Sequence, residues 1–199
     1  MEKEIKTEAD ALEAVCLHLT LDKIPIYLRT IDVCIRALKH YGNIQHIPDA
    51  FKTICFFEKA INYTEHALEL LPENLKTYKI CKIAVKNYGE ALQFVPEKFK
   101  TKEICTIAVN ESGYALEYVP DKFITQELCI TALETSPYAI DYTPEKFKTI
   151  DLYFKAIKQE GIMIKDIPEG KRTEAMYLSS FCSNYYAFGH YLPKNLKNI

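Results

Sequence analysis

The sequence is poor in the features that mark flexible, exported or membrane-spanning chains. Only 6 of its 199 residues are glycine, which argues against long flexible linkers. The first ten residues are charged and contain none of the apolar core of a signal peptide. No apolar run approaches the roughly 18 residues that a membrane-crossing helix requires. We therefore expect a cytoplasmic protein with no membrane association.

The sequence also lacks an excess of charge of one sign and the motifs of common catalytic sites. Its 25 basic and 27 acidic side chains give a net charge of −2, which argues against attraction of the whole surface to nucleic acid or anionic lipid. It has no G-x-S-x-G, no H-E-x-x-H, no phosphate-cradling glycine loop and no C-x-x-C pair. We expect no enzymatic activity, no cofactor and no bound metal.

What the sequence does contain is an internal repeat marked by proline. Prolines recur at intervals of 23 to 25 residues, and a threonine follows each of the first seven by five residues. About seven to eight units of 24 residues fill residues 1–199, which predicts one helical-repeat domain with a C-terminal cap after Pro193. The repeats begin near Glu2, Pro25, Pro48, Pro72, Pro96, Pro120, Pro144 and Pro168.

Each repeat begins with the pattern of an amphipathic helix. In the unit that starts at Pro96, Thr101 is suited to cap the helix N-terminus through its hydroxyl. Apolar residues then follow at three, four, seven and eight positions, which places them on one helix face. In this unit they are Ile104, Cys105, Ala108 and Val109.

The second half of each repeat predicts a turn and a second, shorter helix. Gly113 is expected to end the first helix in a left-handed conformation, as are Gly42, Gly89 and Gly161 in their repeats. The short helix then covers residues 114–119, and the next proline ends it or opens the following turn. Such units bury their apolar faces only against each other, so the predicted fold is all-α, an α-solenoid of helix-turn-helix repeats.

Four cysteines share one position of the repeat and therefore resemble a set of ligands. Equivalent positions of stacked repeats lie about 10 Å apart, because that is the usual distance between packed helices. Zinc ligation and disulfides both need much closer sulfurs. We therefore expect these cysteines to be buried free thiols: Cys34, Cys81, Cys105 and Cys129.

Basic residues form two columns near the repeat start and offer an alternative function. One column lies four residues after the proline and the other two residues after it. Ladders of this kind bind RNA phosphates in some helical repeats, but an acid three residues before most members of the first column predicts a self-neutralised surface. The candidate phosphate-binding residues are Lys52, Lys76, Lys98, Lys100, Lys122, Lys146 and Lys148.

Tyrosines in the second helices are the candidate partner-binding residues. They lie four apart in two successive repeats, so on an α-helix they would share a face. Tyrosine is enriched in protein interfaces, although the same rings could simply pack between repeats. The set is Tyr114, Tyr118, Tyr138 and Tyr142, with Tyr186 and His190 at the same places in the terminal repeat.

The unit P-[ED]-x-F-K-T-x-E-[IL]-C-x-x-A-[VL]-x-x-x-G-x-A-L-x-[YF]-V resembles a repeat family known as a domain of unknown function. That family occurs in bacterial and some viral proteins, often in tandem. The resemblance is strongest from Pro72 to Pro144. It implies a repeated helical fold, and it implies no activity and no site residues.

Together these patterns favour a protein-protein interaction module. A short repeat array with no catalytic motif is expected to act by occupancy, as an adaptor or as a stoichiometric inhibitor of a larger partner. That partner could be an enzyme, a toxin or a host-defence nuclease. The alternative is an RNA-binding repeat protein that uses the basic columns.

Overall fold

The structure is a computed structural model that describes residues 5–38, 44–64, 66–160, 164–165 and 167–183. Helices form all the regular secondary structure of these residues. The chain forms two compact units, Met1–Phe99 and Lys100–Ile199. Within the described ranges no helix is long and apolar enough to cross a membrane. The observed class is therefore all-α, as predicted.

The α-helices follow the repeat. The first unit contains α1 (Glu8–Cys16), α2 (Ile31–Ala37), α3 (Ile54–Ala60), α4 (His66–Leu70) and α5 (Tyr78–Asn87). The second unit contains α6 (Lys102–Glu111), α7 (Gln126–Thr135), α8 (Ile150–Gln159) and α9 (Glu174–Ser183). Each of these helices except α4 is the first helix of a repeat.

A threonine caps each of these first helices, as predicted. Its hydroxyl oxygen accepts a hydrogen bond from the backbone N–H three residues later, at donor–acceptor distances between 3.1 and 3.4 Å. This bond satisfies one of the N–H groups that a helix leaves unpaired at its start. The capping residues are Thr7, Thr30, Thr53, Thr77, Thr101, Thr125, Thr149 and Thr173.

The proline of each repeat opens a one-turn 3₁₀ helix that leads into the capping threonine. In every case the carbonyl of the proline accepts a hydrogen bond of 2.8–2.9 Å from the N–H three residues later. Proline suits this position because its fixed φ fits the start of a helical turn and its missing N–H is not needed there. The turns are Ile26–Leu28, Asp49–Phe51, Glu73–Leu75, Glu97–Phe99, Asp121–Phe123, Glu145–Phe147 and Glu169–Lys171.

The predicted apolar stripe is buried in every repeat for which it was named. Ile104, Cys105, Ala108 and Val109 have no exposed surface. Within the second unit, α6 contacts α7, α7 contacts α8, and α8 contacts α9. Each helix therefore covers the apolar face of the next along the chain, and within the first unit α1, α2 and α3 do the same. Equivalent residues are buried one repeat earlier and later: Ile80, Cys81, Ala84, Val85, Leu128, Cys129, Ala132 and Leu133.

The second helix of the repeat is of the 3₁₀ type in all the described repeats but one, a geometry that the sequence pattern did not distinguish. In the first two repeats it spans Leu21–Lys23 and Ile44–His46. It spans Gly89–Phe94, Gly113–Tyr118 and Pro137–Ile140 in successive repeats. Only α4, one repeat earlier, is an α-helix. The two 3₁₀ helices of the second unit contact each other, so both halves of the repeat pack on their counterparts.

The prediction that Gly113 ends its helix in a left-handed conformation is wrong. The cap of α6 is Ser112, in an extended conformation, and Gly113 is the first residue of the following 3₁₀ helix. A Cβ at Gly113 would lie 2.2 Å from the carbonyl oxygen of Ala132 and 2.9 Å from Oγ1 of Thr135. This glycine is therefore required by the close approach of the last turn of α7.

Gly89 likewise starts a 3₁₀ helix, after an extended cap at Tyr88. Two repeats after Gly89, Pro137 occupies the equivalent position. Proline cannot adopt a positive φ, so the conformation at this repeat position is right-handed. Gly42 and Gly161 lie outside the described residues.

An equivalent hydrogen bond joins neighbouring repeats in each unit. The Asn87 side chain donates to the Ile61 carbonyl over 3.3 Å in the first unit. In the second, Oγ1 of Thr135 lies 3.4 Å from the Val109 carbonyl, and 3.0 Å from a carbonyl of its own helix. Both pairs are 26 residues apart in sequence. The repeats thus meet in the same register in both units.

Candidate functional site

The 3₁₀ geometry changes which residues share a face with the predicted tyrosines. A 3₁₀ helix has three residues per turn, so residues three apart eclipse each other and residues four apart do not. Tyr114 therefore shares its face with Glu117, and Tyr118 lies about a third of a turn away. The same hydrogen-bonding pattern continues to Asp141, whose N–H donates to the Tyr138 carbonyl, so Tyr138 shares its face with Asp141.

Two of the predicted tyrosines are exposed, and a third, Tyr142, contacts Tyr114 of the preceding repeat. Tyr114 and Tyr138 each expose 38% of their surface. The rings of Tyr114 and Tyr142 meet edge to face, with centroids 6.4 Å apart and planes at 72°. This is a favourable geometry for two aromatic rings. We call Tyr114, Tyr138 and Tyr142 the tyrosine surface.

Tyr118 and Tyr142 occupy a position that is large and half-buried in four successive repeats. One and two repeats before Tyr118 the same position holds Phe94 and Leu70, both also half-buried. A role in packing between repeats explains this column. Tyr186 and His190, the corresponding pair predicted in the terminal repeat, lie outside the described residues.

The repeat does not require an aromatic residue where Tyr114 and Tyr138 stand. One and two repeats before Tyr114, the same position holds Glu90 and His66. The two positions that follow are, by contrast, buried and nearly constant: alanine in all four repeats, then leucine or isoleucine. Packing therefore fixes the inner positions and leaves this outer one free to vary. The exposed rings are a property of two repeats and not of the scaffold.

The segment that carries these rings has an excess of acidic side chains, a feature that the net charge of the whole chain conceals. The segment from Glu103 to Glu145 holds eight acidic side chains, all exposed, and a single basic one, Lys122. Among the described residues, neither Glu117 nor Asp141 forms an ion pair, whereas Glu134 pairs with a lysine of α8 over 2.6 Å. A count of charge by segment would have revealed this excess from the sequence.

The basic column four residues after the proline is turned toward the protein. Lys76 is 7% exposed, and its ammonium group donates to the Glu73 carboxylate over 2.6 Å and to the Phe94 carbonyl over 3.1 Å. At the ends of the column, Arg29 and Arg172 donate to carbonyls five residues earlier, over 2.9 and 2.8 Å. These groups satisfy backbone acceptors at repeat ends and are not available to phosphates in that arrangement.

Three of the acids predicted to neutralise this column pair with it. Lys52 lies 2.6 Å from Asp49 and Lys148 lies 2.9 Å from Glu145, in addition to the Lys76 pair. The hydrogen bonds from Lys52 and Lys148 lower the pKa of Asp49 and of Glu145 below the ordinary value. Lys100, the fourth lysine of the column, is half-buried.

The second basic column is exposed and stacks on aromatic rings. The ammonium groups of Lys98, Lys122 and Lys146 lie 4.8 to 4.9 Å from the ring centroid of the phenylalanine that follows each. This is a cation–π distance. Phenylalanine at this position thus fixes a lysine on the protein surface, a contact that the sequence pattern contained but that we did not predict.

The cysteine column is buried, as predicted. Cys34, Cys81, Cys105 and Cys129 are free thiols with no exposed surface. Burial raises the pKa of Cys34 and Cys81 to about 11, and burial also raises that of Cys129. Such thiols remain protonated at neutral pH and behave as small apolar side chains. The described part of the chain contains no cluster of three or more His, Cys, Asp or Glu side chains suited to a metal ion.

Comparison with known proteins finds one family. The family described as "Domain of unknown function (DUF4116)" matches residues 55–100 and again residues 77–124. The two matches end one 24-residue repeat apart and include Tyr114 and Glu117. No curated protein and no solved structure matches the sequence. The central repeats of this chain are thus similar to a family of unknown function.

Proposed function

We propose that this protein is a protein-protein interaction module that acts by occupancy. Its repeats would stack as an α-solenoid within each unit, and the tyrosine surface would bind the partner. Two observations support the stacking: successive first helices contact each other, and the same hydrogen bond recurs between repeats in both units.

The observation that carries the proposal is the exposure of Tyr114 and Tyr138 at a position where the scaffold does not need an aromatic ring. A large ring held partly in solvent by a rigid turn offers apolar area at little conformational cost, with a hydroxyl at its tip for a hydrogen bond. Tyrosine is enriched at protein interfaces and hot spots for this reason.

The geometry of the lysines makes RNA the weaker alternative. Lys76 is buried against the protein, and Lys52 and Lys148 are paired with carboxylates. The exposed lysines 122 and 146 stand beside the acidic segment described above. Phosphate binding requires a concentration of positive charge, which this arrangement does not supply.

A module of this kind serves as an adaptor or as a stoichiometric inhibitor of a larger partner such as an enzyme, a toxin or a host-defence nuclease. The seven free cysteines support a reducing, cytoplasmic setting. The two overlapping family matches support membership of a tandem-repeat family of bacterial and viral proteins.

The experiment is capture of partners from nuclease-treated lysate of the source cells with three tagged proteins. These are the wild type, the double variant Tyr114→Ala/Tyr138→Ala and the control Tyr27→Ala. Tyr27 exposes 74% of its surface in the first unit, so its removal also deletes an exposed ring. We expect a stoichiometric protein with the wild type and the control, and at least tenfold less with the double variant, the loss typical of interface hot spots.

The thermal midpoint of the double variant must first be shown to lie close to that of the wild type. If the folded double variant then retains the partner at wild-type levels, the tyrosine surface is not the interface. Recovery of RNA in place of protein from lysate without nuclease, with an affinity that falls steeply with salt, would establish the RNA alternative.

A further inference from the structure

Each exposed ring of the tyrosine surface has a carboxylate beside it. Tyr114 and Glu117 eclipse each other on one 3₁₀ helix, and Tyr138 and Asp141 are related in the same way one repeat later. Both carboxylates are exposed. The surface therefore presents the same pair, a phenol ring and an acid, twice on adjacent repeats that pack against each other.

Glu117 and Asp141 lack the cation that pairs with two of their acidic neighbours. Glu134 is neutralised by Lys155 over 2.6 Å, and Glu145 by Lys148 over 2.9 Å. Glu117 and Asp141 form no ion pair with any residue that the structure describes. In the first unit the equivalent pair is His66 and Glu69, whose side chains bond to each other over 3.2 Å. Charge on the tyrosine surface is thus left uncompensated.

We infer that the occupant of the tyrosine surface is a polypeptide segment rich in arginine or lysine. A cationic side chain placed over a tyrosine face gains a cation–π contact, and the carboxylate three residues on accepts its N–H groups. The surrounding acidic excess attracts such a segment over a longer range. This inference rests on the proposed function and names the chemistry of the partner.

The second unit itself shows that its aromatic rings accept ammonium groups. Lys122 lies over Phe123, Lys146 over Phe147, and Lys171 over Tyr153 at 5.6 Å. A nucleic acid would place phosphates against the carboxylates of Glu117 and Asp141, an arrangement that costs energy at close range.

The test uses a fluorescein-labelled octa-arginine peptide, with a glycine-serine octapeptide and a uridine 20-mer as the other probes, in fluorescence anisotropy at 0.15 M salt. The variant is Glu117→Gln/Asp141→Asn in the full chain. The control is Glu103→Gln/Glu127→Gln, which also removes two negative charges. Glu103 and Glu127 lie in the first turns of α6 and α7, whereas the tyrosine surface follows the last turns. At this salt concentration charges are screened over about 8 Å.

We expect the wild type to bind octa-arginine and not the other two probes. The Glu117→Gln/Asp141→Asn variant should bind it about four- to twenty-fivefold more weakly, because each of two exposed ion pairs is worth about two- to fivefold. The Glu103→Gln/Glu127→Gln control should lose less than twofold. Equal losses in the two variants would show attraction to net charge alone and overturn the inference, as would absence of octa-arginine binding or preference for the uridine 20-mer.

The same variants applied to the captured partner separate this inference from the proposed function. A partner lost with Tyr114→Ala/Tyr138→Ala and also with Glu117→Gln/Asp141→Asn supports both. If the partner is lost only with the tyrosine variant, the tyrosine surface is the interface but the inference of a cationic partner segment is wrong. A partner retained by the tyrosine variant overturns the proposed function.

Discussion

Replacement of Gly113 by alanine measures how closely adjacent repeats approach. The added Cβ would lie 2.2 Å from the Ala132 carbonyl oxygen, whereas ordinary contacts begin near 3.4 Å, so one element must move by about 1 Å. The obstructing atom belongs to the backbone and cannot rotate away. Overpacking a well-packed interior costs about 1–3 kcal/mol, and we expect about 3 kcal/mol here, because the displacement also disturbs Thr135, which joins the two repeats.

The assay is chemical and thermal unfolding of the Gly113→Ala variant followed by circular dichroism. For a chain of this size a loss of 3 kcal/mol lowers the midpoint by about 6–12 °C. The matched control is Gly170→Ala, because a Cβ at Gly170 meets no atom within 4 Å. That variant should be neutral or more stable by up to about 1 kcal/mol, since alanine restricts the unfolded chain.

A third variant, Gly113→Asn, distinguishes close approach from the left-handed cap that the sequence suggested. Asparagine tolerates a left-handed conformation better than alanine, so a conformational requirement predicts Gly113→Asn to be the more stable of the two. Close approach predicts the opposite, because asparagine is larger. A loss below about 1 kcal/mol for alanine, with asparagine better still, would refute the reasoning from the repeat contact.

Four further predictions concern the scaffold. Thr125→Ala should lower the unfolding free energy by about 1 kcal/mol through loss of the helix cap, whereas Thr131→Ala in the middle of the same helix should not lower it. Lys76→Ala should cost about 1–3 kcal/mol in the same assay, because the partly buried Phe94 carbonyl loses its donor, and Lys98→Ala at an exposed site should cost less than about 0.5 kcal/mol. Ellman's reagent should label only the exposed thiols of the native protein at pH 8, and all seven in denaturant. The exposed thiols are Cys16, Cys55 and Cys182. Burial raises the pKa of two thiols from 9.0 to about 11, those of Cys34 and Cys81. Because the unfolded chain loses these thiol protons at lower pH than the folded chain, the unfolding free energy should fall as the pH rises from 9 to 11. A variant with alanine at both positions should show a smaller fall.

The parts of the fold that depend on local periodicity could be predicted from the sequence. Thr101 is followed by apolar residues at helical spacing, and both the cap and the buried stripe depend only on residues within one turn or two. The same pattern returns in every repeat, so each instance supports the others. The cysteine position was predictable for the same reason, because its place in the stripe makes it a core residue.

The second helix could not be assigned in the same way. Six residues such as Gly113–Tyr118 allow an α-helix or a 3₁₀ helix, and the choice depends on how the neighbouring repeat packs. The wrong helix type also affects the candidate site, because α-helical spacing places Tyr114 on one face with Tyr118, whereas 3₁₀ spacing places it on one face with Glu117. One signal was present for the glycine. Pro137 stands in the same column and cannot adopt a left-handed conformation.

The division between scaffold and site follows from the repeat itself. A residue that every repeat needs, such as the alanine that precedes Leu116, must recur, because each repeat buries the same face against the same kind of neighbour. A residue that serves one partner has no such reason to recur. Tyr114 and Tyr138 recur once, whereas Glu90 and His66 stand at their position in the preceding repeats. Variation at an exposed position beside constant buried ones is therefore the signal to follow in a repeat protein, and here it leads to a surface that also carries two carboxylates without an ion pair among the described residues.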